Sequence, residues 1–350
     1  MRNILLAQFL NPWGGGMQRA MTEDLRQLST VFPDTVLLIT HEYENWVSNL
    51  RDYRRSFSLQ DERIVSLTKF AQESALGRWY DTAKDSLILK IKEISSAAFE
   101  RSNLLKLQAD GRNYIFWTDR TSGYESESKT ENLNSDSIAT IVKKSRVVTV
   151  WSDSGVKKYL LSDGRIEKIK YLDHRWQETG ATYLNKIGNV VFEWVADDFY
   201  GRKYKQFIDF NYPEAVLGER DFRRVLLNFY LGQEGAESNL IVQDIGLAPT
   251  VYCLNDRWLR KIFFVFHAAH FKWGQKDVTD LRATEASLLL QKSLFDSSQV
   301  CVVTKTRQQA ADISETCPWT ATANVAISHF RPPRRGGGFG GGRWGGGGVR

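Results

Sequence analysis

The chain opens on a nearly continuous apolar run, Ile4-Leu5-Leu6-Ala7-Gln8-Phe9-Leu10, that is stopped by Asn11-Pro12-Trp13-Gly14-Gly15-Gly16. A run with apolar side chains on both faces must be covered on both faces, which is the situation of a strand inside a parallel sheet. From Met17 the period turns helical, with Ala20, Leu25 and Leu28 on one side and Arg and acidic residues opposite, until Pro33. Thr35-Val36-Leu37-Leu38-Ile39-Thr40 is a second buried strand. Strand, glycine loop, helix and strand make a βαβ unit, and such a unit opens a doubly wound sheet.

The pattern then changes twice. Residues 41 to 105 carry two helix-like segments, Glu62 to Phe70 and Thr82 to Phe99. From Leu104, short runs rich in Val, Ile, Tyr, Phe and Trp alternate with turn residues. Arg146 to Trp151, Val156 to Leu161, Ile166 to Leu172, Ala181 to Leu184 and Val190 to Trp194 are separated by Asp, Gly, Ser and Asn. This predicts an antiparallel meander. Ser122 to Ser137, rich in Ser, Glu and Asn, reads as a loop. Beyond Tyr212-Pro213 the α/β pattern resumes. It has a helix from Asp221 to Leu231, strands at Asn239 to Asp244, Lys261 to Phe266 and Val300 to Thr304, and helices at Thr284 to Phe295 and Thr306 to Ser314. The expected organisation is an α/β sheet built from residues 1–103 and 214–330, a β-rich insert at 104–213, and an Arg/Gly-rich tail at 331–350 whose composition cannot form a core.

Charge narrows the function classes. The 350 residues carry a net +6, but the tail holds five arginines and no acid, so the remainder stands near +1. A nucleic-acid footprint on the body is not expected. Cys253, Cys301 and Cys317 show no zinc or disulfide spacing, which fits a reducing compartment. The first apolar run is too short for a secretory segment, and no run reaches the roughly twenty residues of a membrane span. A soluble, cytoplasmic chain is expected, with peripheral membrane contact left open.

Two places can carry chemistry. Gly14, Gly15 and Gly16 lack Cβ atoms and precede a helix N-terminus, where backbone N–H groups and the helix dipole favour a phosphate or a developing oxyanion. The spacing is not that of a dinucleotide fingerprint, and Thr40-His41, not an acid, ends the second strand. A tight turn without a ligand is the competing reading. His267 and His270 follow the strand ending at Phe266, at the carboxyl end where open α/β sheets bind ligands. They read as catalytic or sugar-contacting, as structural, or as a metal pair, although no third ligand accompanies them. Asp197-Asp198 reads as turn chemistry.

In their order along the chain, these segments resemble the family 4 retaining glycosyltransferases. The resemblance lies in the opening strand, glycine loop and helix, the strand-end His267, and Thr306, Gln309 and Asp312 after the strand Val300 to Val303. The meander, with Tyr171-Leu172-Asp173-His174-Arg175-Trp176 and Gly180, is similar to the insert of one subgroup. That subgroup contains poly(glycerol-phosphate) α-glucosyltransferases and accessory-Sec adhesin glycosyltransferases. The resemblance implies a GT-B fold with a Rossmann-like acceptor domain. It also implies a UDP-sugar donor, a teichoic-acid-type polymer or Ser-rich protein acceptor, and no metal or other cofactor. Gly14, Gly15 and Gly16 would then face the donor, His267 would be the catalytic contact to the sugar, and His270 a second sugar contact. The insert would bind acceptor or hold a homo-oligomer together. In that family a donor domain with an Arg/Lys pair and a paired-glutamate segment follows; here residue 330 runs into Arg/Gly sequence. The expectation is a chain holding the acceptor side, with slow or no transfer alone. The alternatives are a non-catalytic GT-B-like partner that binds acceptor for an active transferase, and nucleic-acid binding through the tail with Phe339 and Trp344.

Overall fold

The computed structural model describes residues 2–13, 15–43, 46–59, 63–78, 114–119, 125–129, 140–141, 143–152, 155–162, 165–173, 175–196, 202–209, 216–251, 254, 256–266, 300–304, 307, 309–311 and 325–327. Along the chain come β1 (Arg2–Ala7), α1 (Gly16–Val31), β2 (Val36–Ile39), α2 (Trp46–Phe57), β3 (Arg63–Ser66) and α3 (Leu67–Ser74). Then follow β4 (Tyr114–Asp119), β5 (Glu125–Lys129), β6 (Ser145–Ser152), β7 (Gly155–Ser162) and β8 (Arg165–Leu172). The meander continues with β9 (Glu178–Leu184), β10 (Val190–Ala196), β11 (Lys203–Phe207) and β12 (Val216–Gly218). Last come α4 (Glu219–Glu234), β13 (Ser238–Val242), β14 (Leu259–Phe266), β15 (Val300–Thr304) and β16 (Val325–Ile327).

Seven strands form a parallel sheet in the order β16-β15-β14-β13-β1-β2-β3. The apolar runs explain it: Ile4, Leu5 and Leu6 of β1 and Val36 to Ile39 of β2 are fully buried, as strands covered on both faces must be. From β1 the chain steps outward through β2 to β3, and from β13 it steps the other way to β16. The order therefore reverses between β1 and β13. At such a switch point the connections diverge and leave a crevice beyond the carboxyl ends of the strands.

The other nine strands form a separate antiparallel sheet, β12-β11-β10-β9-β8-β7-β6-β4-β5. One face of it presents Ala181, Tyr183, Phe192, Trp194 and Phe207 to α4. There they join Phe222, Leu226, Phe229 and Tyr230, which in turn meet Ile4, Leu6, Val36, Leu38, Leu240 and Val242 of the parallel sheet. The two sheets thus share one core, with α4 between them. Phe192 packs against Phe222 at 5.1 Å between ring centroids, and Phe207 against Phe229 at 5.3 Å.

Three local expectations change. Glu62 to Phe70 is not one helix: β3 pairs in parallel with β2, Ile64 beside Leu37, and α3 starts only after Ser66, whose hydroxyl accepts from the Lys69 N–H. The β-branched pair Ile64-Val65 completes a sheet edge, and that pairing overrides a weak helical period. The polar Ser122 to Ser137 segment contains β5, paired with β4; as the outermost strand it needs no apolar face. And α2 forms where no element was expected, around the buried Tyr53, with Trp46, Leu50 and Phe57 packed beside it. The helices expected at 82–99 and 284–295 and the tail at 331–350 lie outside the described residues. Among the described residues no helix is long and apolar enough to cross a membrane.

Candidate functional site

The glycine turn leaves β1 at the switch point. Gly15 is the N-cap of α1 at φ −73°, a conformation open to any residue, and among the described residues no side chain caps the helix. A Cβ built on Gly15 or Gly16 would meet nothing within 4 Å. Neither backbone strain nor packing calls for glycine at these two positions. What the missing side chains leave is free approach to the first N–H groups of α1, which have no intrahelical acceptor. The turn is fixed from behind. The Asn11 N–H donates to Gln18 Oε1 at 3.3 Å, Gln18 Nε2 donates to the Phe9 carbonyl at 3.1 Å, and the Trp13 N–H donates to Asn11 Oδ1 at 3.0 Å. Trp13 itself projects outward, 90% exposed.

Beside the turn, β2 delivers Thr40, His41 and Glu42. Their alignment with β1 continues through Thr40 N–H to Ala7 O and His41 N–H to Gln8 O. These residues form one wall of a cavity of about 550 Å³ whose floor is the antiparallel sheet and whose far wall is α4. Lys168 and Lys170 of β8 and Lys203 and Lys205 of β11 line it with Arg223 of α4, against the carboxylates of Glu42, Glu178 and Glu219. The register explains the grouping. Lys170, Ala181, Trp194 and Lys205 stand in one cross-strand row, and Lys168, Tyr183, Phe192 and Phe207 in the next. A Lys-x-Lys pair on a strand puts both amines on one face.

Each inner lysine has a partner. Lys168 donates to Glu42, Lys170 stands 3.3 Å from Glu178, and Lys205 stands 3.1 Å from Glu219. Lys203 lies over the Trp194 ring at 4.4 Å, and Lys205 over the Phe222 ring at 5.2 Å. Glu42 Oε1 also accepts from the Tyr183 hydroxyl. Burial would raise the Glu42 carboxyl, but the charge and hydrogen bond of Lys168, the hydrogen bond of Tyr183 and the charge of Lys205 together outweigh it and hold the group below its ordinary value. Burial pulls the Lys168 ammonium below the usual lysine value, with Glu42 opposing. Burial raises the Tyr183 phenol, and the Glu42 charge raises it further. His41 is held below 6.5 by burial first, with Arg223 and Lys205 adding to the effect against Glu42 and Glu219.

Of the residues expected from sequence, Gly15 and Gly16 lie at the carboxyl edge of β1, while Gly14, His267 and His270 lie outside the described residues, as do Asp197-Asp198, Thr306 and Asp312. Position 267 follows directly on β14, which runs parallel to β13 and hence to β1. The strand ends that precede positions 14 and 267 therefore share one edge, two strand spacings or about 10 Å apart. The lysine-lined cavity was not anticipated. Its only trace in sequence is the two Lys-x-Lys pairs, Lys168-Ile169-Lys170 and Lys203-Tyr204-Lys205. A second cavity of about 300 Å³, between α3 and the hairpin ends of the insert, is walled by the Lys69–Glu167 and Lys186–Glu73 pairs and contains none of the edge residues.

No protein-family model matches the sequence, and no curated protein does. Solved structures do match by fold. TarM aligns with a TM-score of 0.60 at 12% identity, over 94% of this chain and 61% of its own. The GtfA/B complex aligns with a TM-score of 0.58 at 12% identity, over 93% of this chain and 60% of the other. An S. aureus TarM variant in complex with fondaparinux, α-GlcNAc-glycerol and UDP aligns with a TM-score of 0.53 at 12% identity, over 90% of this chain and 59% of its own. The chain thus spans about three fifths of the length of these structures. Over more than nine tenths of its own length it shares the fold of TarM and of a chain of the GtfA/B complex, a parallel sheet joined to a separate antiparallel one.

Proposed function

We propose that this chain is the acceptor side of a GT-B retaining glycosyltransferase that moves a hexose or N-acetylhexosamine from a UDP-sugar to a polymer acceptor. The observation that carries the reading is the shared fold with TarM, a relative in shape that has been crystallised with UDP and α-GlcNAc-glycerol. The switch point supports it: an uncrowded glycine turn at a helix N-terminus stands beside a cavity large enough for a sugar unit.

In this reading the bond from sugar C1 to the donor diphosphate breaks and a bond from C1 to an acceptor hydroxyl oxygen forms. The hydroxyl proton leaves with the diphosphate, and the anomeric configuration is kept. Gly14, Gly15 and Gly16 face the donor, where helix N–H groups stabilise the growing diphosphate charge without a metal. His267 hydrogen-bonds the transferring sugar, with His270 as a second contact. The acceptor lies along the floor of the cavity. Five cations against three carboxylates favour a phosphate-bearing chain of the teichoic-acid type over a Ser-rich protein. Association through the β-sheet insert and a cytoplasmic, membrane-peripheral location complete the proposal.

The test is transfer from UDP-glucose and UDP-N-acetylglucosamine to poly(glycerol phosphate) and to a Ser-rich peptide, with His267→Ala as control and acceptor binding followed in parallel. Transfer by the chain alone is expected to be slow at most, and to fall at least about tenfold in His267→Ala where it is measured. Acceptor binding with neither transfer nor binding of the UDP-sugar points to the non-catalytic partner instead. Absence of both transfer and acceptor binding overturns the reading.

A further inference from the structure

Among the described residues of the cavity, Glu178 and Glu219 come from β9 and α4, whereas Glu42 comes from the carboxyl edge of the parallel sheet. Its Oε1 accepts from two donors on the other sheet, Lys168 Nζ and the Tyr183 hydroxyl, which face each other across the β8–β9 register. Both donors are anchored. Lys168 lies over the Tyr183 ring at 4.5 Å, and that ring stacks on Phe192 at 3.9 Å with 20° between the planes. The next residue faces the opposite way. The Tyr43 hydroxyl accepts from the Leu10 N–H at 2.6 Å and donates to the Leu10 carbonyl at 2.7 Å. Leu10 is buried and opens the glycine turn, and Asn11 and Phe9 on either side of it are held by the buried Gln18 of α1. Polar contacts linked by the backbone at residues 42–43 and 9–11 therefore run from the antiparallel sheet to the first turn of α1.

We propose that Glu42 is a positioning residue that couples the cavity face of the antiparallel sheet to the glycine turn. A buried ion pair adds little net stability over an apolar contact of the same size, but it fixes geometry closely, because leaving either partner alone is costly. Other polar links join the two units through α3 and α4, among them Lys69 with Glu167, Gln72 Nε2 with the Leu184 carbonyl and Lys205 with Glu219; this pair is the one whose carboxylate adjoins Tyr43 and the glycine turn. Its setting passes to the turn because residues 42 and 43 are bonded neighbours, so a loosened carboxylate frees the Tyr43 hydroxyl from its place on Leu10. The catalytic meaning of this coupling rests on the turn being the donor-facing loop; the coupling itself does not.

The experiment is amide hydrogen exchange, read by mass spectrometry, on the chain and on Glu42→Gln, Tyr183→Phe, Tyr43→Phe and the Glu42→Gln/Tyr43→Phe pair. Exchange over residues 9–16 is expected to rise about tenfold in Glu42→Gln, the weight of one charge-assisted hydrogen bond in a local opening. Tyr183→Phe, which keeps the stacked ring, moves it in the same direction by less, and decides the matter if Glu42→Gln does not fold. Residues 238–242 of β13 stay unchanged, and Glu42→Gln adds nothing once Tyr43→Phe is present. Unchanged exchange over 9–16 in the folded variants overturns the coupling. So does an equal rise over 238–242, or full additivity of Glu42→Gln and Tyr43→Phe. No nucleotide sugar enters this experiment, so its result and that of the transfer assay are separable.

Discussion

Gly16 holds the first position of α1, where a methyl group would sit in open space, while Gly15 before it has an ordinary negative φ. Among the described residues nothing demands glycine at either place. His41, which follows β2 and donates its N–H to the Gln8 carbonyl, has the reverse character: its setting is imposed from within. Burial depresses its imidazole below 6.5, and Arg223 and Lys205 depress it further. A group whose folded value lies below its unfolded one contributes no penalty above pH 6.5; stability is lost as pH falls from 6.5 through the folded value. An NMR titration of the His41 ring should show a midpoint below 6.5, and Glu42→Gln should lower it further by removing the main opposing charge. A midpoint above 6.5 would contradict this account of the cavity wall. Beyond the Lys-x-Lys pairs these groups are not legible in sequence, because Glu42 and Lys168 are far apart along the chain and meet only when two sheets close on α4.

At the scale of elements, the connection from α3 into the antiparallel sheet is the tightest joint described. Gly77 has φ +67°, and a Cβ there would stand 2.4 Å from the Val190 carbonyl oxygen; Arg78 then pairs with Val190 as an isolated bridge. Gly77→Ala should cost at least about 2 kcal/mol through strain and clash together. Gly235→Ala at the end of α4, with φ +63° and open space around it, should cost about 1 kcal/mol. Urea unfolding with unchanged slope checks both, and equal midpoints for the two variants would show that the clash at Gly77 is relieved by movement. Legibility follows the same physics. β1, α1, β2, β13, β14 and β15 are plain in the sequence because apolar runs buried on both faces leave little choice of element. β3 and β5 are not, because an edge strand is decided by the neighbour it pairs with, not by its own pattern. α2 does carry a helical period, with Trp46, Leu50, Tyr53 and Phe57 at intervals of four, three and four; it was missed because the Ser, Asn, Arg and Asp between them keep the segment polar overall.

For the whole molecule, α4 is the decisive piece. It carries Phe222, Leu226, Phe229 and Tyr230 into a core that both sheets share, and it lends Glu219 and Arg223 to the cavity the sheets enclose. The arrangement sets a lysine-lined cavity against the residues that follow β2, the strand next to β1 and its glycine turn. Fold likeness to TarM at 12% identity fits that arrangement, since packing geometry outlasts sequence. The central claim is that a nucleotide sugar sits at this edge, against the glycine turn and position 267. Saturation-transfer NMR of UDP-N-acetylglucosamine with the chain, which detects weak binding, tests it most directly. The account predicts transfer to the sugar-ring protons that falls at least about threefold in Gly16→Ala and His267→Ala, while both variants stay within about 1 kcal/mol of the parent in stability. No transfer in the parent chain, or transfer that both variants leave untouched, would contradict it.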